Sequence, residues 1–211
     1  MRLKHVKGAE EIIKKGIYYM DNPKELKGNW NKVFNNDNPI YIEIGMGKGD
    51  FIIENALKYD NINFIGIEKF DSVIVRAIQK SNELELNNLK LIRMDAMGID
   101  EVFDKEIDRI YLNFSDPWPK ERHAKRRLTS PIFLAKYDKI FKSNMNIIMK
   151  TDNNNLFEYS VESLTEYGYK MLDITRDLYS EDPKDNIATE YEKKFVAKGI
   201  SINRFIAIKK K

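Results

Sequence analysis

Apolar residues along most of this chain fall in short runs that alternate with segments of helical spacing. Short runs rich in Ile, Tyr and Phe predict buried strands, whereas apolar residues three or four positions apart predict helices. The predicted strands cover residues 39–45, 63–68, 88–95, 108–114, 144–151, 169–175 and 201–209. The predicted helices cover residues 50–59, 71–84, 130–141 and 154–168.

This alternation of strands and helices predicts the fold class. It is typical of an α/β sandwich built on a mostly parallel sheet with right-handed crossovers. Ligands of such sheets bind beyond the carboxyl ends of the strands. Functional residues are therefore expected where the strands end, at positions 43–49, 68, 95, 113–119 and 150–153.

The first 37 residues have weak periodicity and mix charged residues with Tyr18, Tyr19 and Trp30. We interpret residues 1–37 as an N-terminal appendage, part helix and part loop, and residues 38–211 as the main domain. A chain of this size buries roughly 70% of its unfolded surface on folding, so a sizeable core is expected.

Composition excludes several kinds of chemistry. The chain has no Cys and only two His, at positions 5 and 123, which excludes disulfides and thiolate nucleophiles and leaves little for zinc. We therefore expect no metal. The N-terminus lacks the apolar segment of a signal peptide, and no apolar run approaches the roughly 18 residues of a membrane span. We expect a cytoplasmic protein without membrane association.

Three glycines follow the first predicted strand. Gly45, Gly47 and Gly49 form a G-x-G-x-G turn before a helix, where glycine permits positive φ and close approach of a ligand. A dinucleotide fingerprint would place its third glycine one position later, where this chain has Asp50. Asp50 and Glu43 would repel a phosphate at the helix N-terminus. Both acids suit a ligand with a positive amino or sulfonium group.

Acids also end the next two predicted strands. Glu68 lies about 20 residues beyond the glycines, where a carboxylate holds a ribose diol in related sheets. Asp95 ends the third strand, and Ala96 and Met97 after it could hold an adenine. Each acid taken singly could equally be a solvated residue in an ordinary turn. Together with the glycine turn they suit S-adenosylmethionine, which has ribose and adenine but no phosphate.

The fourth predicted strand is followed by a loop that contains two prolines, at positions 117 and 119. Proline fixes φ and stops a helix, so this loop is expected to be rigid. Asn113 at the strand end is a predicted donor contact, and Asp116 lies where the donor methyl group should emerge. Trp118 offers a flat face for a base. The alternative is a stiff structural turn with a surface tryptophan.

A basic run follows this loop directly. Between positions 120 and 127 there are five Lys and Arg residues against a single acid, Glu121, although the net charge of the whole chain is only +3. In isolation such a run is usually a solvated helix face. Here it adjoins the predicted methyl-transfer loop and contains His123, which favours contacts with the phosphates of an RNA.

Three segments carry a family resemblance: EIGMGKGDF (43–51), NFSDPWPKERHAKRRLT (113–129) and ATEYEKKFVAKG (188–199). Together they resemble the bacterial tRNA (guanine-N7-)-methyltransferases, and the resemblance covers the chain from about residue 40. It implies a Rossmann-like class I methyltransferase sandwich whose seven-stranded, mostly parallel sheet has helices on both faces. It also implies S-adenosylmethionine as donor and a guanine in the tRNA variable loop as target. We expect a monomer or homodimer, between which the sequence does not decide. Met46 and Glu121 fall at variable places of the motifs.

The resemblance further implies roles for individual residues. Glu43, Glu68, Asp95 and Asp116 match contacts of the donor, and Asp116 also matches the residue credited with catalysis. The residues that match substrate contacts are Lys120, Asp152, Thr189, Glu190, Tyr191 and Glu192. The residues that match RNA contacts are Arg122, His123, Ala124, Lys125, Arg126 and Arg127.

The segment 189–192 is expected to lie in a loop between two late strands. Its Thr, Tyr and two carboxylates could hydrogen-bond the N1–H and exocyclic amine of guanine. Without the resemblance, a packed Tyr191 and solvated acids would be the preferred interpretation. Asp152, after the fifth strand, has the same two alternatives.

The methyl transfer that the resemblance implies needs no general base. Guanine N7 has an in-plane lone pair and no proton, so attack on a sulfonium methyl is a single displacement. Asp116 could stabilise the positive charge that develops on the base, or hold the guanine edge.

Three other functions are alternatives. An exocyclic-amine methyltransferase would have a second proline where this chain has Trp118. An RNA-binding protein with an inactive methyltransferase fold would not need Glu43, Glu68 and Asp95 together. A nicotinamide-dependent dehydrogenase is disfavoured by Asp50 and the displaced glycine.

Overall fold

A computed structural model describes residues 6, 8–181 and 183–211 of the chain. Residues 1–5 and 7 of the predicted N-terminal segment lie outside the described residues, and they include His5. Within the described part, no helix combines the length and apolar character that a membrane crossing requires.

The described residues form a seven-stranded sheet in the order β3-β2-β1-β4-β5-β7-β6. All neighbouring strands pair in parallel except β7, which is antiparallel to both β5 and β6. The predicted mostly parallel sheet is therefore confirmed. The strands are β1 (Ile40–Ile44), β2 (Asn63–Glu68), β3 (Leu89–Arg93), β4 (Arg109–Asn113), β5 (Met145–Thr151), β6 (Lys170–Thr175) and β7 (Asn203–Lys209).

Helices cover both faces of this sheet, as expected. Ile42 and Ile65 point to a cluster with α2, α5 and α6, whereas Phe64 and Leu91 point to a cluster with α1, α3 and α4. Alternate strand residues face opposite sides because the side-chain period of a strand is two. The helices are α1 (Ala9–Lys14), α2 (Trp30–Phe34), α3 (Asp50–Lys58), α4 (Asp71–Ser81), α5 (Pro131–Ile140), α6 (Asn154–Glu166) and α7 (Glu190–Val196).

The described part of the N-terminal segment packs into both clusters. The fully buried Trp30 ring lies 5.3 Å from that of Phe103, and its indole N–H donates to the Val102 carbonyl at 3.0 Å. The hydroxyl of Tyr18 donates to the Leu84 carbonyl at 2.5 Å. The segment is part helix, as expected, and it completes the core instead of projecting from it. The predicted boundary near residue 37 stays a prediction.

The order of the strands creates one crevice in which functional residues can meet. The chain leaves β1 for β2 on one side, and β4 lies on the other side of β1. In open parallel sheets, ligands bind at such a switch point, beyond the carboxyl ends of the strands. Glu43, Glu68 and Asn113 lie at or next to these ends.

Candidate active site

The glycine turn after β1 has two different functions. Gly45 and Gly47 have φ of 79° and 60°, and a Cβ built on either would meet no atom within 4 Å. These two glycines therefore combine a left-handed backbone with open space for a ligand. Gly49 also has positive φ, but its Cβ would lie 2.7 Å from that of Ala77. Gly49 therefore serves the close packing of α4 on the turn.

Glu43 and Asn113 form a buried polar pair beside this turn. The Glu43 carboxylate is only 1% exposed and accepts one hydrogen bond, from the Asn113 amide at 2.8 Å. Glu43 Oε2 and Asn113 Oδ1 are both buried and have no hydrogen-bond partner among the described residues. Burial raises the pKa of Glu43 to about 7, although the Asn113 bond and the charge of Lys150 act in the opposite direction.

Two neighbouring acceptors without donors indicate what could bind there. A buried acceptor left unpaired costs about 1–3 kcal/mol, more for a charged group. A ligand ammonium carries three donors and a positive charge, and it would satisfy Glu43 and Asn113 together. This part of the site therefore fits an amino-acid ammonium.

Glu68 joins the end of β2 to the glycine turn. Its Oε1 accepts from the backbone N–H groups of Lys69 and Phe70 at 2.8 and 3.0 Å, and its Oε2 accepts from Gly47 N–H at 3.1 Å. Burial raises its pKa and these N–H groups lower it, while the charge of Asp116 raises it. Since a carboxylate has about four acceptor positions, capacity remains for a ligand hydroxyl.

Asp95 is exposed after β3 and begins the 3₁₀ helix Ala96–Glu101. Its Oδ1 accepts from Met97 N–H at 2.9 Å, and its Oδ2 accepts from the Lys69 ammonium at 2.6 Å. The Lys69 bond lowers the pKa of this carboxyl. Ala96 is half-buried and Met97 is exposed. The start of this 3₁₀ helix therefore has accessible apolar side chains next to the Asp95 carboxylate.

The loop after β4 presents Asp116 on a constrained backbone. Phe114 and Trp118 have positive φ, 51° and 42°, which is unusual for residues with side chains. Two groups hold the loop: Phe114 N–H donates to the Lys150 carbonyl at 2.8 Å, and the Arg127 guanidinium donates to the carbonyls of residues 117 and 118. Such conformations persist only where surrounding contacts enforce them. Asp116 is exposed at the centre of this loop.

The structure divides the basic run. The 3₁₀ helix Glu121–Arg126 carries most of it, with Lys120, Arg122 and Lys125 exposed and His123 and Ala124 half-buried. Arg126 lies 4.8 Å from the centre of the Trp118 ring, and His123 meets that ring edge-on at 5.8 Å. Arg127 is turned inward, 4.2 Å above the Tyr159 ring, besides holding the loop.

The segment Thr189–Glu192 is not a loop, so that expectation was wrong. Thr189 is the N-cap of α7, and its hydroxyl accepts from Glu192 N–H at 2.9 Å. Glu192 Oε2 in turn accepts from Thr189 N–H at 3.2 Å. This reciprocal arrangement is a capping box, and the T-x-x-E spacing is its sequence signal.

Glu192 is also the partner of Lys150, which lies in the range 150–153 where functional residues were expected but to which the sequence assigned no role. The Lys150 ammonium is 2.6 Å from Glu192 Oε2, and these side chains are 3% and 0% exposed. Four donors surround the two Glu192 oxygens, from Lys150, Thr189, Tyr179 and Asn186. This leaves Glu192 inaccessible to a substrate, and its contacts are those of a structural residue. A lysine within an apolar strand was the available signal.

The first turn of α7 places other predicted residues at the surface. Tyr191 is 42% exposed, and its ring lies 4.1 Å from that of Phe195 and 4.9 Å from that of Phe114. The Tyr191 hydroxyl donates to Asp152 Oδ2 at 3.4 Å. These contacts bring Asp152 and Tyr191 next to the Asp116 loop.

Glu190 connects this turn to the glycine turn. Its carboxylate accepts from the ammonium groups of Lys194 and Lys48. These bonds lower its pKa to about 2, with Lys194 contributing most.

No group of three or more His, Asp and Glu side chains suited to a metal ion occurs in the described ranges.

Comparison with known proteins identifies the family of this chain. A family model described as "Putative methyltransferase" matches residues 37–205. A solved structure described as an antibiotic-related methyltransferase superposes with a TM-score of 0.67 at 18% identity, covering 93% of this chain and 98% of that one. That likeness concerns the fold.

Two curated relatives are both named tRNA (guanine-N(7)-)-methyltransferase. The protein of Lachnoclostridium phytofermentans is 50% identical over 100% of both chains. That of Bacillus cytotoxicus is 52% identical over 97% of this chain and 95% of its own. The chain therefore belongs to the tRNA (guanine-N(7)-)-methyltransferase family.

Proposed function

We propose that this protein transfers a methyl group from S-adenosylmethionine to N7 of a guanine in the variable loop of tRNA. The observation that carries the proposal is the buried Glu43–Asn113 pair, whose two free acceptors adjoin the open glycine turn. Family membership and the adjoining basic surface support tRNA as the acceptor.

The donor fits the site in three parts. Glu43 and Asn113 would hold the ammonium of its methionine moiety, and Gly45 and Gly47 would let the chain of the donor pass close to the backbone. Glu68 would accept from the ribose hydroxyls. Asp95 and the half-buried Ala96 would meet the adenine edge and face. A dinucleotide fits poorly, because Glu43 and Glu68 offer acceptors where a pyrophosphate needs donors.

The acceptor side is assigned to exposed and half-buried groups. Lys120 and the 3₁₀ helix Glu121–Arg126 would meet phosphates, and the Trp118 ring would stack on a base. The target guanine would lie between the Asp116 loop and the first turn of α7, where Asp152, Thr189 and Tyr191 offer polar groups and Glu190 a carboxylate. We do not include Glu192 among the contacts, because its oxygens are surrounded by donors of the protein.

When bound, S-adenosylmethionine supplies an electrophilic methyl group on a positive sulfur. Guanine N7 needs no deprotonation, and accordingly the residues around Asp116 need not act as a base. In this proposal Asp116 would stabilise the positive charge that the guanine ring gains as the N7–methyl bond forms and the sulfur–methyl bond breaks. The remaining residues align the two reactants, an effect that can supply roughly 7–11 kcal/mol.

The test is methyl transfer from labelled S-adenosylmethionine to tRNA lacking this modification, followed by borohydride and aniline cleavage at the labelled base. We expect cleavage at a single variable-loop guanine. A tRNA in which that guanine is replaced by adenine is the matched control and should take up no label. Label without cleavage would contradict the N7 assignment, and no label despite donor binding would contradict the acceptor.

A further inference from the structure

We propose that Lys150 is a positioning residue that fixes the first turn of α7, and with it the acceptor-binding residues Thr189, Glu190 and Tyr191, against the donor site. This inference rests on the proposed function of that turn. It assigns to Lys150, through Glu192, a contribution to tRNA binding without contact with the tRNA.

The Lys150 side chain is fully used in holding one segment. Its ammonium donates to Glu192 Oε2 at 2.6 Å, to the Ile187 carbonyl at 2.9 Å and to Asn186 Oδ1 at 3.1 Å. All three acceptors belong to the stretch 186–192, whereas Lys150 belongs to β5, an interior strand of the sheet. A lysine ammonium has three donors, so each of them has a partner in this stretch.

The Glu192 carboxylate accepts further hydrogen bonds from the same stretch and from Tyr179. Its Oε1 accepts from the Tyr179 hydroxyl at 3.0 Å and from the Asn186 amide at 2.7 Å, while its Oε2 accepts from Thr189 N–H. The buried pair therefore joins the sheet, the N-cap of α7 and the connection that precedes it. Breaking such a pair on one side leaves an uncompensated buried charge, which is strongly destabilising.

The other ionic attachments of this segment are weaker. Lys48–Glu190, Lys193–Glu54 and Lys58–Asp185 join the segment to the glycine turn and α3. Their side chains are all at least one-third exposed, and exposed pairs contribute little to stability. The buried pair is therefore the principal electrostatic anchor among the described residues of this segment.

Lys150 also borders the donor side. Its carbonyl accepts the Phe114 N–H that holds the Asp116 loop, and its charge acts on the buried carboxylate of Glu43. Lys150 thus contacts both the loop that carries Asp116 and the Glu192 carboxylate that anchors the acceptor turn. Its charge also acts on Glu43, the acid of the proposed donor site. A shift of the acceptor base by about an ångström is enough to slow methyl transfer severely. The position of the acceptor turn relative to the donor site is therefore important for the rate.

The experiment compares wild type, Lys150→Met, Glu192→Gln and the double variant on tRNA lacking the modification. Each single variant leaves one buried charge uncompensated, so we expect its KM for tRNA to rise about tenfold or more. The value of kcat at saturating tRNA should fall less, because bound tRNA favours the ordered turn. The double variant removes both charges but also the three hydrogen bonds that Lys150 donates to this stretch, so its KM should lie between that of wild type and those of the single variants.

Hydrogen exchange supplies a readout that is independent of catalysis. Backbone amides of residues 186–196 should exchange faster in both single variants and regain only part of their protection in the double variant, which still lacks the Lys150 hydrogen bonds. Donor affinity of Glu192→Gln, which keeps Lys150 beside Glu43, is the control for global folding. We expect it to stay within about threefold of wild type.

Tyr179→Phe covers the case in which Lys150→Met fails to fold. It removes one donor from Glu192 and should raise KM by about two- to fivefold with faster exchange in the same segment. Unchanged KM and exchange in the single variants would overturn the proposal. So would a double variant as impaired as Glu192→Gln, because Glu192 would then be a direct contact. A wild type that does not methylate tRNA would instead overturn the proposed function, and exchange would still test the anchor.

Discussion

The donor and acceptor regions each contain a fully buried carboxylate, and the two differ in how they are satisfied. Glu43 has one hydrogen bond and one oxygen without a partner in the described structure. Glu192 has four donors on its two oxygens, including an ammonium at 2.6 Å. Both are no more than 1% exposed. Burial alone therefore does not distinguish a ligand-binding acid from a structural one.

The number of unused acceptor positions makes this distinction. A buried carboxylate that is satisfied by the protein stabilises the fold around it, as Glu192 does for the first turn of α7. A buried carboxylate with an open oxygen is a site at which a ligand can supply the missing donor. In the proposed function, the incompletely satisfied acid belongs to the donor site, and the acceptor site consists of half-buried and exposed groups on and beside an anchored helix.

The largest expected effect lies where the two regions meet. Asp116→Ala should lower kcat by about 100- to 1000-fold, because in the proposed mechanism it removes the charge that stabilises the methylated ring in the transition state. Donor affinity should change by less than about tenfold, since the ammonium and ribose contacts remain. Methyl-transfer kinetics with calorimetry of donor binding check both values, and unchanged turnover would remove this role from Asp116.

The second prediction separates the two buried acids directly. Glu43→Gln keeps an acceptor for Asn113 but removes the charge, so the Kd for S-adenosylmethionine should rise by about 10- to 100-fold. Glu192→Gln, the matched substitution in the acceptor region, should leave this Kd within about threefold. Calorimetry at a fixed pH measures both. Equal losses in the two variants would contradict the comparison.

The third prediction concerns pH. Because burial raises the pKa of Glu43 to about 7, its carboxyl is largely neutral below that pH and cannot pair with an ammonium. Donor affinity should therefore fall as the pH drops through 7, approaching about tenfold per unit. Titration of Kd from acid to alkaline pH checks this, and Glu43→Gln should flatten the profile in this range.

Glu43 has the opposite effect on stability. Its pKa is raised from the ordinary 4.5, so the folded state favours the neutral carboxyl. Its contribution to the free energy of unfolding is fully present below the unfolded pKa and is lost as the pH rises through about 7. The donor-free protein should thus lose stability across this window relative to Glu43→Gln, and bound donor should reduce the loss.

The smallest expected effect tests the exposed side of the comparison. Arg126→Ala should weaken tRNA binding by roughly threefold and lower the slope of log Kd against log salt by about 1, because one phosphate contact is lost. Arg127→Ala should leave that slope unchanged and instead lower kcat, since Arg127 holds the Asp116 loop. Salt titrations of both variants distinguish a phosphate contact from an internal support.

Much of the donor site could be predicted from the sequence. Strand periodicity located the strand ends, and the carboxyl ends of parallel strands meet at one edge of the sheet. Glu43, Glu68 and Asp95 could therefore be grouped before any coordinates were known. The glycine turn was identified as well, although the sequence could not separate Gly49, which packs on Ala77, from Gly45 and Gly47, which face open space.

The acceptor side shows what sequence leaves open. The T-x-x-E capping box at Thr189 is a local signal and was available, because a capping box involves residues only three positions apart. The pairing of Lys150 with Glu192 was not available, since the two are 42 positions apart and their contact depends on how the chain crosses the sheet. The inward turn of Arg127, within a run of similar cations, was undetermined for the same reason.

The strands, the glycine turn and the acids that follow the strands can be located from the amino-acid order alone, because they depend on local periodicity and on backbone conformation. Which buried acid keeps an unpaired oxygen and which one is satisfied is set by the packing of the folded chain. That outcome depends on the donors that distant segments bring within hydrogen-bonding distance, and hydrophobic patterning does not specify those distances.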